Sequence, residues 1–514
     1  MSEGVDCSML NRRELLKLTA AAAASAALPG CGSESWVDDR PNIVFVIADQ
    51  LRADVLGAYG GRLIETPHLD QLAVEGTTFE HGLSTAPLCT PYRGMLMTGR
   101  YPTHSGIVVN RVEASPEQNP DCLGVLFKKA GYDTGYIGKW HLAAGMMRIP
   151  TKVRKNPEAL RAWQAEHLPA EFVPPGPGRL GFEHWEAYNY HADVSSYWFF
   201  RDDPEPVHAE GYETDIIIDQ AIDYMKERRK AARPFLLVAS PHPPHPPYIA
   251  SRCPSGFLER MPRHPELPPN VPADAPVRTN PEPVRCYLAM IQHFDTCVGR
   301  LVRYLDESGL SRNTLLIFTS DHGEMMGSHG QWGKQLPYRE SVNVPLIARW
   351  PGRVAAGARS RALFTPMDHL PTLCALAGID APDYLDGVDL SRALLNGTPG
   401  DRDAVLMMNP IASMRNFKSA GAFREWRALY SNSHTFVSWR DGRESLYDAR
   451  HDPFQMRNLA AETAAKPELS GWREQLASLM AQAHDTFPSG SAYGEWYDGR
   501  RNLVRTALGP VPTL

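Results

Sequence analysis

Cys89, Pro91 and Arg93 fall in the run Cys89-Thr90-Pro91-Tyr92-Arg93, which continues Gly94-Met95-Leu96-Met97-Thr98-Gly99-Arg100. A proline two residues after the cysteine suits the first turn of a helix, where its missing N–H costs nothing. The cysteine then lies at a helix N-terminus, whose unpaired amides and dipole favour an anion. Arg93, one turn further on, falls on the same face and can fork onto an oxyanion. By itself the spacing predicts an anion-binding cysteine with a reactive thiolate. A buried structural cysteine beside a capping turn fits it as well.

Other polar groups stand where sites of open α/β folds form, just past the carboxyl ends of sheet strands. Asp49-Gln50 follows the apolar run 43–48, and Ser320-Asp321-His322-Gly323 follows the run 315–319. Lys139 and His141 sit in Gly138-Lys139-Trp140-His141, where strand alternation puts both on one face. Two histidines, His242 and His245, lie in Pro241-His242-Pro243-Pro244-His245-Pro246-Pro247-Tyr248. A proline-rich loop mounts an acid well, since less entropy is lost on ordering it. Lys334, in Trp332-Gly333-Lys334, reads alone as a solvated surface lysine.

Cys-x-Pro-x-Arg followed by Met-Thr-Gly-Arg closely resembles the signature of the type I, formylglycine-dependent sulfatases of the alkaline-phosphatase-like superfamily. The other motifs occur in that family's order. The resemblance runs from residue 41 to about 381 and resumes at Leu446-Tyr447-Asp448, Asp452-Pro453-Phe454 and Asn458-Leu459. Two positions depart from the commonest pattern, Tyr92 where a small residue is usual and Gln50 where many members have a second Asp; His322 matches, at a position where some members have Asn.

The resemblance implies that Cys89 is oxidised by a formylglycine-generating maturation enzyme to formylglycine (3-oxoalanine), whose hydrate attacks sulfur. It implies a divalent cation held by Asp49, Gln50, Asp321, His322 and the modified Cys89. Carboxylate and amide oxygens favour Ca2+, and the imidazole leans toward Mn2+. Arg93 belongs to the same catalytic set. Lys139 and Lys334 would contact sulfate oxygens, and His141 would take a proton from the formylglycine sulfate hemiacetal. His245, which fits the family motif better than His242, would serve the leaving group. The reaction implied is hydrolysis of a sulfate ester, of a small molecule or a saccharide. Two alternatives stand beside it: a phosphonate monoester or phosphodiester hydrolase of the same superfamily, and a glycan-binding lipoprotein without catalysis.

These residues need a scaffold. The runs 43–48, 235–239 and 315–319 are short, continuous and rich in β-branched residues, as in strands covered on both faces. Apolar residues three or four apart predict an amphipathic helix over 287–305. The fold class is therefore α/β: a large central sheet, mixed but mostly parallel and flanked by helices. A catalytic domain over 38–397 precedes a smaller C-terminal α+β subdomain over 398–514, where strand-like pieces such as 434–439 occur. The aromatic stretch Trp185, Tyr188, Tyr190, Tyr197 and Trp198 suits either sugar stacking or core packing.

Residues 1–31 read as an address. Asn11-Arg12-Arg13-Glu14-Leu15-Leu16-Lys17 resembles a twin-arginine export signal, and Leu28-Pro29-Gly30-Cys31 resembles a lipobox. These imply passage through the twin-arginine translocase and a lipid on Cys31 that anchors the protein to a membrane, on the periplasmic side or at the cell surface. A net charge of -6 gives no reason to expect a nucleic-acid partner. Of eight cysteines, an odd number remains once Cys7 is removed, Cys31 acylated and Cys89 modified, which argues against a disulfide framework and a zinc knuckle.

Overall fold

The structure is a computed structural model and describes residues 40–144, 166, 171–190, 193–231, 233–411, 425–462, 466–499 and 502–511. Arg12, Arg13, Cys7 and Cys31 lie outside the described residues. The strands are β1 (Asn42–Ala48), β2 (Thr77–Leu83), β3 (Asp133–Lys139), β4 (His184–Tyr188), β5 (Tyr197–Phe199), β6 (Val207–Ala209), β7 (Phe235–Ser240), β8 (Thr314–Ser320), β9 (Asn343–Val344), β10 (Leu346–Arg349) and β11 (Ala358–Phe364). β5 and β6 form a ribbon of their own. The rest make one nine-stranded sheet in the order β11-β2-β10-β8-β1-β7-β3-β4, with β9 on β2. The central run β8-β1-β7-β3-β4 is parallel throughout, and β10 is antiparallel to both its neighbours. The sheet is thus mixed and mostly parallel.

Each central strand buries both faces, and alternate residues feed two separate cores. Val44, Val46, Leu237, Leu316 and Phe318 point to one side. There they meet Ile217 and Ala221 of α4 (Glu213–Arg228) and Ile291, Phe294 and Val298 of α5 (Glu282–Ser308). Ile43, Phe45, Leu236, Val238, Leu315 and Ile317 point to the other. This second core includes Leu96 of α2 (Cys89–Thr98), Phe127 of α3 (Leu123–Lys129) and Leu370 of α6 (His369–Ala377), while α1 (Pro67–Val74) packs on the first. α5 is longer than the predicted 287–305 because Pro283 starts it within the first turn and Gly309, at φ 75°, stops it.

The C-terminal part holds an antiparallel sheet of β12 (Ala404–Asn409), β13 (Trp426–Ser431), β14 (His434–Trp439) and β15 (Glu444–Asp448). One face takes Leu476 of α7 (Lys466–Gln482) onto Leu406, Leu429, Phe436 and Leu446. The other packs Val405, Met407 and Val437 against Leu83, Val342 and Leu363 of the large sheet's region. The described residues from 39 onward therefore group as one compact unit. Trp185, Tyr188, Tyr197 and Trp198 are buried in the cores, while the ring of the half-buried Tyr190 lies 5.0 Å from that of His141. Among the described residues no helix is long and apolar enough to cross a membrane, and the six described cysteines are free thiols.

Candidate active site

The carboxyl ends of β1, β3, β7 and β8 share one edge, because these strands run parallel. Ala48 pairs in register with Ser320, so Asp49 and Asp321 leave adjacent strands side by side, and the Asp321 amide donates to the Ala48 carbonyl at 3.1 Å. Gln50 turns the chain through a left-handed conformation, φ 71°, and its amide donates to Asp321 Oδ1 at 3.1 Å. Cys89 is the first residue of α2, behind the extended Leu88. Its neighbour Thr90 is fixed twice: its amide donates to Asn110 Oδ1 and its hydroxyl to the His141 carbonyl, both at 2.9 Å.

These placements bring four buried donors together. Carboxylate oxygens of Asp49 and Asp321, the Cys89 thiol and the His322 imidazole lie within 4.8 Å of one another. Cys89 Sγ is 3.2 Å from His322 Nε2, which is itself 3.3 Å from Asp321 Oδ1 and 3.8 Å from Asp49 Oδ1. Gln50 completes the rim. Its Nε2 donates to Glu324, and its Oε1 accepts from Lys334 Nζ at 2.7 Å.

Three cations surround the cluster. Lys139, the last residue of β3, sets its Nζ 2.5 Å from Asp49 Oδ2, and Lys334 Nζ lies 3.3 Å from Cys89 Sγ. Arg93 is the third, and its two terminal nitrogens contact the protein. One nitrogen donates to the Lys139 carbonyl and Ser240 Oγ at 2.8 Å, and the other lies 3.3 Å from Asp321 and 3.6 Å from Asp49. Tyr92, the departure beside it, packs in the second core.

The electrostatics follow from this crowding. Burial and the Asp49 carboxylate push the Cys89 thiol up, but Lys139, Lys334 and His322 outweigh them and leave it lowered. Burial opposes ionisation of Asp49 as well, yet Lys139, His245, Lys334 and His242 hold it well below the usual carboxylate range. Burial lowers Lys139 and Asp49 raises it, with the net result a shift up to about 12.

His141 reaches the site by a different route from strand alternation. β3 ends at Lys139, and His141 adopts a left-handed backbone, φ 57°, with its amide bonded to the Asn189 carbonyl. Both its ring nitrogens are buried without a hydrogen-bond partner. Burial, then the charge of Lys139, hold the ring neutral by pushing its pKa well down. His242 and His245 stack, with centroids 4.3 Å apart, on the turn after β7. His245 acts on Asp49 more strongly than His242 does, and its Nδ1 donates to the Pro246 carbonyl at 2.9 Å.

Four supporting residues escaped the sequence reading. Ser240 and Tyr136 hold Arg93, and Glu324 orients Gln50. Ser240 is the last residue of β7 and Glu324 lies one turn past β8, both beside motifs already marked. Glu213 opens α4 and accepts from the His242 amide at 3.0 Å and the Tyr188 hydroxyl at 2.6 Å. Nothing in its local sequence points to that role.

The chain is similar to known proteins over most of its length. Residues 41–379 match the family described as Sulfatase, and residues 327–482 match the family described as N-sulphoglucosamine sulphohydrolase, C-terminal. The chain is 31% identical over 469 residues to an ulvan-active sulfatase of Formosa agariphila, covering 89% of this chain and 84% of the relative. It is 30% identical over 488 residues to an endo-4-O-sulfatase of Bacteroides thetaiotaomicron, covering 84% and 91%. Among solved structures, yidJ of Bacteroides fragilis superposes with a TM-score of 0.75 at 28% identity, covering 91% of this chain and 99% of that one.

Proposed function

The chain belongs to the sulfatase family, and from that premise we propose that it releases sulfate from sulfated saccharides with an oxygen nucleophile made from Cys89. The observation that carries this is the buried quartet of Asp49, Cys89, Asp321 and His322, with the ammonium groups of Lys139 and Lys334 on it.

The family implies formylglycine and a divalent cation, and the residues present fit both. Cys89 stands at the first position of a helix beside three cationic groups, and two carboxylates with the Gln50 amide oxygen make a mainly oxygen donor set. When bound, the cation would be held by Asp49, Gln50, Asp321, His322 and the modified Cys89, and it would activate the aldehyde hydrate's oxygen and offset sulfate charge. Ca2+ suits those oxygens, with Mn2+ the alternative that His322 allows.

The chain's own groups do the rest. Lys139 and Lys334 bind sulfate oxygens and stabilise the charge that builds in the transition state, usually the largest catalytic term. Arg93 positions, holding both aspartates and the Lys139 carbonyl in place. His245 keeps its Nδ1 proton on Pro246, so Nε2 is its titrating nitrogen; an arriving anion favours protonation there and equips it to serve the departing alcohol. His141, neutral and unpartnered, is ready to accept a proton as sulfate leaves. The saccharide assignment is supported by the ulvan-active and endo-4-O-sulfatase relatives. Residue-level roles, export, and acylation at Cys31 belong to the same proposal.

The test is mass spectrometry of the Cys89 peptide together with sulfate release from a panel of sulfated saccharides. Aryl sulfate, phosphodiester and phosphonate monoester substrates run in parallel. Conversion of Cys89 to the aldehyde and saccharide desulfation lost in Cys89→Ala are expected. Undiminished sulfate release by Cys89→Ala would end the formylglycine reading, and faster turnover of the phosphorus esters would make this a phosphonate or phosphodiester hydrolase. An unmodified, inactive protein that still binds glycan would favour the non-catalytic lipoprotein. Replacing Arg12 and Arg13 with Lys should retain the protein in the cytoplasm, which fractionation checks.

A further inference from the structure

Away from the catalytic edge, α4 and α5 bring a second set of donors together. Asp215 lies in the first turn of α4, and His293 and Cys297 stand one turn apart on α5. One ligand atom from each falls within 4.8 Å of the others. We propose that Asp215, His293 and Cys297 bind one zinc-class divalent ion, with water as the fourth ligand.

The spacing is that of a coordination shell. His293 Nε2 is 2.9 Å from Asp215 Oδ2, Cys297 Sγ is 3.5 Å from Asp215 Oδ1, and Cys297 Sγ is 3.8 Å from His293 Nε2. A tetrahedral zinc with bonds of about 2.0 Å to N and O and 2.3 Å to S sets its ligands roughly 3.3–3.6 Å apart. The two separations between the proposed ligand atoms, 2.9 Å from Nε2 to Oδ2 and 3.8 Å from Sγ to Nε2, fall on either side of that range, so a small rotation of each side chain admits the ion.

The mixed sulfur, nitrogen and oxygen set favours zinc or cobalt over calcium or magnesium, which take oxygen. Support around the ligands is in place. Arg300 donates to Asp215 Oδ1 at 2.7 Å, which orients the carboxylate and leaves Oδ2 for the ion. The rings of Tyr212 and Phe257 meet His293 edge-on, each with its centroid 5.0 Å away. Cys297 is buried, whereas the Asp215 side chain is 38% exposed and gives the ion a way in. On binding, the Cys297 thiol loses its proton to solvent as the sulfur–metal bond forms.

Such an ion would tie the start of α4 to α5. Glu213, two residues before Asp215, holds the His242 amide, so the ion would also steady the turn that carries His245. Asp215 is 78 residues from His293 in sequence, so the third ligand is brought to the His293–Cys297 pair only by the fold.

The test uses full-length protein stripped by chelator and titrated with Co2+, read by the thiolate-to-cobalt charge-transfer absorption. Wild type, Cys89→Ser, Cys297→Ser and Asp215→Asn are compared. A one-equivalent band is expected in wild type and Cys89→Ser, absent in Cys297→Ser and at least 10-fold weaker in cobalt affinity in Asp215→Asn. Zn2+ should displace the band and raise the melting temperature of the same two proteins. Because Asp215 is partly exposed, its Asn variant remains informative if Cys297→Ser does not fold. No band in wild type would reduce the cluster to a hydrogen-bonded helix contact and overturn the proposal. So would a band lost in Cys89→Ser but kept in Asp215→Asn.

Discussion

The ammonium of Lys139 lies 2.5 Å from Oδ2 of Asp49, and the two side chains are 1% and 0% exposed. Each is therefore the other's buried counter-charge, with Arg93 a more distant partner of Asp49. Lys139→Ala should cost about 3 kcal/mol of stability, the usual result of stranding one member of a buried pair. It should also lower kcat by at least about 100-fold, since a cation aimed at the transferring group is lost. Adding Asp49→Asn should recover much of the stability and none of the activity. Denaturant unfolding and sulfate release read the two effects; a wild-type unfolding midpoint in Lys139→Ala would show the pair is not a buried one.

Chelation should abolish turnover, and Ca2+ or Mn2+ should restore it, with the melting temperature falling and recovering in step because the ion binds the folded state alone. Asp321→Asn, which removes one of two carboxylates in the quartet, should respond far more weakly to added cation. Active protein that contains no divalent ion by elemental analysis would contradict this.

Glu213 sets a pH dependence. Burial pushes it from an ordinary 4.5 up to about 7, against the hydrogen bonds from Tyr188 and His242, with Lys139 favouring its charge and Asp49 opposing it. A raised carboxyl means that the fold prefers the protonated form. That preference stabilises fully below pH 4.5 and is lost as pH rises through about 7. Wild type should therefore lose at most about 3 kcal/mol relative to Glu213→Gln over this window. Parallel unfolding curves at pH 4.5 and 7.5 would instead mean that Glu213 is ionised throughout.

Gly138 guards the approach to Lys139. Its φ is 96°, it pairs with Ser240, and an added Cβ would stand 2.4 Å from the Ser240 carbonyl oxygen. Gly138→Ala should cost roughly 2 kcal/mol through backbone strain alone, plus the shift forced on Lys139 and on Ser240, which holds Arg93. A calorimetric melt unchanged from wild type would show that this strand end can yield.

The sequence was most informative where one strand and its next residues hold a whole signal. Continuous runs such as Ile43 to Ala48 demand burial on both faces, and a polar pair straight after them can lie only at the sheet edge. Residues 434–439 read as a strand for the same local reason. Glu213 was not legible, because its partner His242 lies 29 positions away and nothing local marks it. For Arg93, helix periodicity fixes direction, and only the fold reveals that two carboxylates and a carbonyl stand beside it. His141 failed the alternation argument because β3 stops two residues short of it.

Asp49 and Asp321 leave adjacent strands whose ladder pairs Ala48 with Ser320. The gap between these two carboxylates is thus a property of the sheet itself, where neighbours sit about 4.8 Å apart, and not of the 271 residues that separate Gln50 from Asp321 in the chain. Loops on the intervening polypeptide that lie outside the sheet and the site can lengthen or shorten without touching that distance. The two carboxylates are thus fittings on one rigid frame, and any change of loop that leaves the β1–β8 ladder intact leaves their spacing intact.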